Sequence, residues 1–395
     1  MRTVEEHQHV VAGLISARPA VAVPLADALG LALAEDVVAP LSLPGFDNSA
    51  MDGYAVLAAD VATATADNPV KLPVAEDIPA GRTDLLTLAP GTAHRIMTGA
   101  MLPAGATAVV QVEATDGATD VVSIYSAVPE GRSIRRAGED VTAGMTVLSA
   151  GEVLSPAALG LAAALGLAEL KVIPRQRVLV LSTGTELVAP GTPLQPGQIY
   201  ESNAVMLAAA LREAGADVTT APATSDDVAL FRETLAGHAK NVDLIVTTGG
   251  VSAGAYEVVK DALSGDVEFV KVAMQPGMPQ GAGTVGGTPI VTLPGNPVSA
   301  LVSFEVFIRP PLRATMGLPS QRPRRSATLT EKLTSPAGKR QFRRGVLGTD
   351  EQVSSYGPPA SHHLRWLATA NCLLDIGEDV VELAAGSPVP VWDLS

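Results

Sequence analysis

Arg177-Val178-Leu179-Val180-Leu181 runs directly into Ser182-Thr183-Gly184-Thr185-Glu186, and the chain repeats that figure twice. Asp243-Leu244-Ile245-Val246 feeds Thr247-Thr248-Gly249-Gly250-Val251-Ser252, and Ile290-Val291-Thr292-Leu293 feeds Pro294-Gly295-Asn296-Pro297. Each is a short apolar run ending in a turn rich in glycine and in polar or proline residues. In an open parallel sheet, ligands bind at the carboxyl ends of the strands, where loops present unpaired N–H groups beside the positive ends of following helices. The expected ligand is an anion.

Working outward, residues 176–318 alternate strand and helix. A helix over 203–214 ends at Gly215, a strand lies near Val218, and a helix starts from Ser225. Strand 244–246, helix 256–263, strands 267–272 and 290–293 and a helix over 297–314 follow. This predicts a doubly wound α/β domain. Upstream, residues 5–18 form a helix with Val10, Val11, Leu14 and Ile15 on one face, and residues 24–29 a second short one. From Phe46 to Arg132, short β-rich runs (108–112, 121–125) are separated by Gly, Pro and Asp turns. Ser155-Pro156 caps a helix that Gly166 closes. Being apolar almost all round, that helix is expected to be buried or at a subunit contact. After Pro319-Ser320 short alternating runs return. The expected plan is an N-terminal and dimerisation domain from 1–45 with 135–175, an inserted β-rich domain over 46–134, the α/β domain at 176–318 and a β-barrel-like domain over 319–395.

Composition narrows the function. A chain of 395 residues that is 47% hydrophobic can hold several real cores. Its one cysteine, Cys372, allows neither an intrachain disulfide nor a multi-cysteine zinc site. Met1 to His7 carries acid where a signal peptide has an apolar core, and no apolar run approaches the ~18 residues of a spanning helix. A cytoplasmic protein with no membrane partner is expected. The net charge of −14 argues against nucleic-acid binding. Against that acidic background stands a basic strip, Arg322, Arg324, Arg325, Lys332, Lys339, Arg340, Arg343 and Arg344, with Glu331 the one acid among them. It reads either as a site for a small anion or as a solvated face.

Individual motifs admit plain readings beside the functional ones. Pro294-Gly295-Asn296-Pro297 suits an N-cap at Asn296 and an N1 proline at Pro297, with or without a ligand. Gly249 and Gly250 permit close approach to a phosphate, or simply a tight turn. Neither stretch has P-loop or GxGxxG spacing. Asp226 and Asp227 fit the first turn of a helix through its dipole. Glu186 and Glu257, just past strand ends, are better placed to hold a hard cation such as Mg²⁺ against phosphate oxygens.

Phe46-Asp47-Asn48-Ser49-Ala50-Met51-Asp52-Gly53-Tyr54-Ala55, Arg95-Ile96-Met97-Thr98-Gly99, Gly138-Glu139-Asp140, Ser182-Thr183-Gly184 with Glu186, Gly197-Gln198-Ile199-Tyr200, Gly249-Gly250-Val251-Ser252 and Pro294-Gly295-Asn296-Pro297-Val298-Ser299 occur in one order along the chain. In that order they resemble the molybdopterin molybdenumtransferases, a family that includes the gephyrin E domain. The resemblance implies an enzyme that inserts molybdenum from molybdate into adenylylated molybdopterin and releases AMP with Mg²⁺. It implies a homodimer, with the cleft between the α/β domain of one subunit and the Met-Asp-Gly segment of the other, and the molybdopterin adenylyltransferase as a further partner. Carried over by motif position, the functional residues are Asp52, Thr98, Asp140, Glu186, Asp226, Glu257, Lys271, Pro294, Pro297, Arg344 and Ser361.

Physical roles can be set beside that list. Molybdate is a tetrahedral dianion suited to N–H groups, hydroxyls and cations, as offered by Lys271, Arg344, Ser361 and the turn at Pro294. Glu186 and Glu257 would hold Mg²⁺ at the pyrophosphate link, and Asp52 or Asp140 would position the oxygen nucleophile or handle its proton. Where the family often has Lys-Pro-Gly-Lys-Pro, this chain has Gln275-Pro276-Gly277-Met278-Pro279. Losing two cations weakens an anion site unless the basic strip compensates. Glu257 stands for a frequent Asp and Thr185 for another, which leaves room for a tungstate-inserting paralogue; a molybdopterin adenylyltransferase-like enzyme, against which the Met-Asp-Gly segment and the C-terminal β domain count, and a non-catalytic scaffold are separate alternatives.

Overall fold

The structure, a computed structural model, describes residues 1–222, 227–250 and 258–394. The chain separates into two compact units, one of residues 1–22, 30–34 and 171–395, the other of residues 23–29 and 35–170.

The first unit is organised by a 6-stranded sheet. Its order is Asp217–Thr220, Arg177–Ser182, Leu244–Thr248, Thr288–Leu293, Pro279–Val285 and Val267–Lys271. The first four strands are parallel, with Leu179 opposite Ile245 and Ile245 opposite Ile290. Side chains alternate across the sheet, as the period of a strand requires. Val178, Val180, Leu244, Val246, Val291 and Leu293 face a core with helices Asn203–Glu213 and Pro297–Ser303. Leu179, Leu181, Ile245 and Ile290 face a second core with helices Val228–Ala239 and Val258–Ala262. Helices thus cover both faces. These strands are apolar throughout because they are buried on both sides, and truncating Leu179 to alanine would cost about 2–5 kcal/mol.

The sequence leads to a parallel sheet, but the sheet is mixed. Pro279–Val285 pairs antiparallel with both Thr288–Leu293 and Val267–Lys271. Its Gly-Ala-Gly centre has poor strand propensity, and crowding explains the glycines. A Cβ on Gly281 would lie 2.2 Å from Thr292 Oγ1, and one on Gly283 would lie 2.1 Å from Asp266 O. The last helix is also continuous beyond Ser303, passing through a π segment at Phe304–Ile308 into Arg309–Thr315.

Residues beyond 322 build a closed barrel. Arg340–Leu347 pairs with Gln352–Ser355, which pairs with Arg324–Leu329. Pro388–Asp393 and Cys372–Ile376 follow, and the last returns to Arg340–Leu347.

In the second unit a 5-stranded sheet runs Ala108–Gln111, Gly53–Val56, Ala93–Ile96, Val70–Ile78 and Val121–Ile124. Helix Pro156–Ala164 has the expected Ser155 cap, yet Ala162 is its one buried residue. No helix among the described residues is long and apolar enough to cross a membrane.

Candidate active site

The three strand-end turns meet, and side chains tie them together. The Thr183 N–H donates to Thr248 O at 3.1 Å, and the Gly249 N–H to Leu293 O at 3.2 Å. Thr248 Oγ1 donates to Pro294 O at 3.1 Å. Asn203 Nδ2 donates to Thr248 Oγ1 at 3.1 Å and to Gly295 O at 2.6 Å. Gly249, at φ +94, allows this closeness, since a Cβ there would stand 2.6 Å from Thr183 O.

Above the turns opens a cavity of about 1040 Å³. Ser182, Thr183, Gly184, Glu186, Gly249, Gly250, Gly295, Asn296 and Pro297 line it, joined by Tyr200, Glu201, Asn203 and His362. Asn296 occupies the N-cap, but its side chain makes no capping bond, leaving its amide for the cavity. Ser182 Oγ, Thr183 Oγ1 and Asn203 Oδ1 are buried and have no hydrogen-bond partner among the described residues. Unsatisfied groups of that kind cost about 1–3 kcal/mol each until a ligand or water meets them.

A second cavity of about 430 Å³ adjoins the first, sharing Gly295, Asn296 and His362. Its lining adds Gln275, Met278, Pro294, Ser299, Lys339 and Ser361. The segment carrying Ser361 is docked by the Val298 N–H, which donates to Ser361 O at 3.0 Å. Arg344 is buried and supports the same segment, donating to His363 O at 3.0 Å and to Pro358 O. Lys271 ends its strand exposed, opposite Pro279, and lines neither cavity.

The Glu186 carboxylate lies over Gly184, where an added Cβ would come within 2.7 Å of both its oxygens. Glu201 Oε1 accepts the Ala204 N–H at 2.7 Å. These two acids line the large cavity, and among the described residues no Lys or Arg lines it with them. Hard oxygen donors beside a space for phosphate suit Mg²⁺, which takes one or two carboxylates and fills its shell with water and phosphate oxygens. No cluster of three metal-ligating side chains exists among the described residues. Asp226, Ser252 and Glu257 lie outside the described residues, and Asp227 is the N-cap of Val228–Ala239, accepting the Ala229 and Leu230 N–H groups.

The other unit assembles the upstream motifs. Asp52 Oδ1 accepts both the N–H and the hydroxyl of Thr98. Those bonds, the backbone one first, hold its carboxyl below the usual carboxylate range, with Arg95 nearby adding to the effect. The Gly99 N–H donates to Ser49 O at 2.8 Å. Asp47 pairs with Arg136 at 2.6 Å, and the Asp140 N–H donates to Leu43 O at 3.0 Å. Asp140 itself is exposed.

Sequence reasoning missed Asn203, Glu201 and His362 as site residues, and named Ser299 only within its motif and Lys339 only within the strip. The polar triplet Glu201-Ser202-Asn203 after the Ile199-Tyr200 motif was the available signal for the first two. For the others, only the folded chain brings them in.

Family models match along the chain: "MoeA N-terminal region (domain I and II)" at residues 2–166, "Probable molybdopterin binding domain" at 179–314 and "MoeA C-terminal region (domain IV)" at 326–394. The chain is 68% identical to molybdopterin molybdenumtransferase 2 of Mycobacterium tuberculosis over 100% of both chains. It is 36% identical to the molybdopterin molybdenumtransferase of Haemophilus influenzae, covering 93% of this chain and 92% of that one. Among solved structures, a molybdopterin biosynthesis MoeA protein from Pyrococcus horikoshii superposes with a TM-score of 0.83 at 30% identity, covering 100% of this chain and 99% of that one.

Proposed function

Because the chain belongs to the molybdopterin molybdenumtransferase family, we propose that its two adjoining cavities divide one reaction between them. The protein is a transferase of molybdenum cofactor biosynthesis. On this reading adenylylated molybdopterin occupies the large cavity, molybdate the small one, and the products are the molybdenum-loaded pterin and AMP.

The observation that carries this is the shared wall. Gly295, Asn296 and His362 border both spaces, so an oxyanion in one stands beside a ligand in the other. Such juxtaposition converts a bimolecular encounter into an effectively intramolecular one. The two Mo–S bonds at the dithiolene sulfurs together replace one oxo group of molybdate, which takes up the two thiol protons and leaves as water, with molybdenum unchanged in oxidation state. Addition of one water across the pyrophosphate link releases AMP and leaves molybdopterin its phosphate.

The chain's own groups have distinct tasks. Ser182 and Thr183 bind and orient the nucleotide phosphates through hydroxyls that have no partner among the described residues, Gly249 lets the backbone come close, and Asn203 ties the turns together and offers its Oδ1 to a ligand N–H or water. Asn296, uncommitted at its N-cap, bridges the two substrates. Glu186, with Glu201 and Glu257 as supporting acids, would hold Mg²⁺. A diphosphate facing two carboxylates without Lys or Arg is repelled, and the bound ion would supply the missing charge and polarise the phosphorus.

Asp52, kept ionised by Thr98, is suited to accept a proton or orient a water and unsuited to donate a proton at neutral pH. We assign it this role in a homodimer, the Asp52–Thr98 pair of one subunit serving the cavity of its partner. The exposed Ala157, Ala163 and Ala164 and the half-buried Leu159 of Pro156–Ala164 support a subunit contact. The same reading has the enzyme acting in the cytoplasm on the product of the molybdopterin adenylyltransferase.

The test is AMP release from adenylylated molybdopterin by the purified protein. Release should rise and saturate with molybdate, and a repeat with tungstate measures the choice of anion. Release at the same rate without either oxyanion would contradict the division of labour.

A further inference from the structure

We propose that Gln280 is a positioning residue for the reaction, pinning the turn at 275–279 to the helix that begins at Pro297 and so fixing the spacing of two walls of the small cavity. The inference rests on the reading of that cavity as the oxyanion site. Gln280 itself lines neither cavity.

Three segments wall the small cavity: residues 274–279, residues within 294–299, and residues 339 and 359–362 of the C-terminal barrel. Hydrogen bonds join them in pairs. Gln341 Nε2 donates to Gln275 Oε1 at 2.8 Å and ties the turn to the barrel, where Met274 and Gln275 also pair with Arg340 and Gln341. The Val298 N–H donates to Ser361 O at 3.0 Å and ties the helix to the barrel. The third joint, from turn to helix, is Gln280. Its Nε2 donates to Gly277 O at 2.6 Å and to Ser303 Oγ at 2.7 Å, so one amide spans the two walls. Among the described residues no hydrogen bond runs directly between residues 275–279 and residues 294–303.

Packing alone does not account for an amide at this place. Strand alternation puts Gln280 on the face of Ala282, in the core that holds Val272, Met274 and Ala300. Gln280 is 1% exposed, and Ser303 is fully buried. Both amide protons are used, while Oε1 is buried with no hydrogen-bond partner among the described residues. A buried acceptor without a partner costs stability, and an apolar side chain of like volume would avoid that cost. The amide therefore answers to the placement of the turn. Gly277, at φ +98, brings the turn so near the helix that an added Cβ would lie 2.7 Å from Ser303 Oγ. Ser299, one helical turn before Ser303, lines the small cavity, so Gln280 grips the helix directly behind a cavity hydroxyl.

AMP release by the purified full chain, titrated separately with sodium molybdate and with adenylylated molybdopterin, tests this. The turn lines the small cavity and not the large one, so the effect should fall on one substrate. Gln280→Met keeps the volume and removes both donors, and it should raise the half-saturating molybdate about tenfold, the worth of the two hydrogen bonds lost. The half-saturating nucleotide, and the rate at saturating molybdate, should stay within about twofold of wild type. Ser303→Ala removes one of the two acceptors and should give a rise of about threefold, and it decides the matter if Gln280→Met does not fold. An unchanged molybdate requirement, or an equal rise for both substrates, would overturn the assignment while leaving the proposed reaction intact. Wild-type release that is indifferent to molybdate would overturn the reading of the cavity instead.

Discussion

Asp52 Oδ1 receives two hydrogen bonds from Thr98, one from the N–H and one from the hydroxyl, each 2.7 Å long. Both favour the ionised form, so the carboxyl titrates below its ordinary value. Thr98→Val removes the hydroxyl donor and should move the Asp52 titration upward, readable by carboxyl-carbon NMR against pH. Activity should fall more for Asp52→Asn than for Thr98→Val, because the first removes the charge and the second only one of its supports. An Asp52 titration unmoved by Thr98→Val would show that the hydroxyl bond has no weight.

His7 offers a pH prediction with a definite sign. Its ring is buried against Phe307 at 4.7 Å between centroids, and burial first, then Arg2, lowers its pKa from 6.5 to about 4. The unfolded state then binds the proton more readily, so this contribution is complete above pH 6.5 and is lost as pH falls toward 4. The loss should be about 3 kcal/mol by pH 4. His7→Phe should flatten that part of the curve, measured by urea unfolding at pH 7, 5.5 and 4.5. A slope identical to wild type would contradict it.

Cys372 is buried, and burial, with Asp393 adding, pushes its thiol up to about 12. Thiolate is the reactive form, so the native protein should resist a thiol reagent at pH 8 and react once unfolded. Rapid labelling of the native chain would contradict the packing described here.

Magnesium should matter through Glu186. Chelation should abolish AMP release, and Glu186→Gln should raise the Mg²⁺ needed for half-maximal rate about tenfold, the loss of one charge-assisted contact. An unchanged Mg²⁺ requirement would assign the ion to other groups.

Gly249→Ala meets both a left-handed φ and the Thr183 carbonyl. It should destabilise the protein by about 1–3 kcal/mol and loosen the joined turns. Wild-type melting and nucleotide affinity would contradict the crowding.

Much of this site could be read before folding because its ingredients are local. Runs such as residues 177–181 are apolar since both faces are buried, and the glycines after them mark where backbones crowd. Pro279–Val285 could not be read that way, because its glycines answer to Thr292 and Asp266 on neighbouring strands. Lys339 was legible as a residue but not as a cavity wall, and Ser361 reached the site only through the resemblance, since barrel closure brings both to the turn at Pro294. The seat of Arg344 was equally non-local: its guanidinium serves Pro358 and His363.

The central claim, that two adjoining cavities hold the pterin nucleotide and the oxyanion side by side, is tested most directly by anomalous diffraction at the molybdenum edge from crystals soaked with both. The account predicts a molybdenum peak among Ser299, Lys339 and Ser361, with nucleotide phosphates along Ser182, Thr183 and Gly249. A peak outside the small cavity, or phosphates remote from those turns, would contradict it.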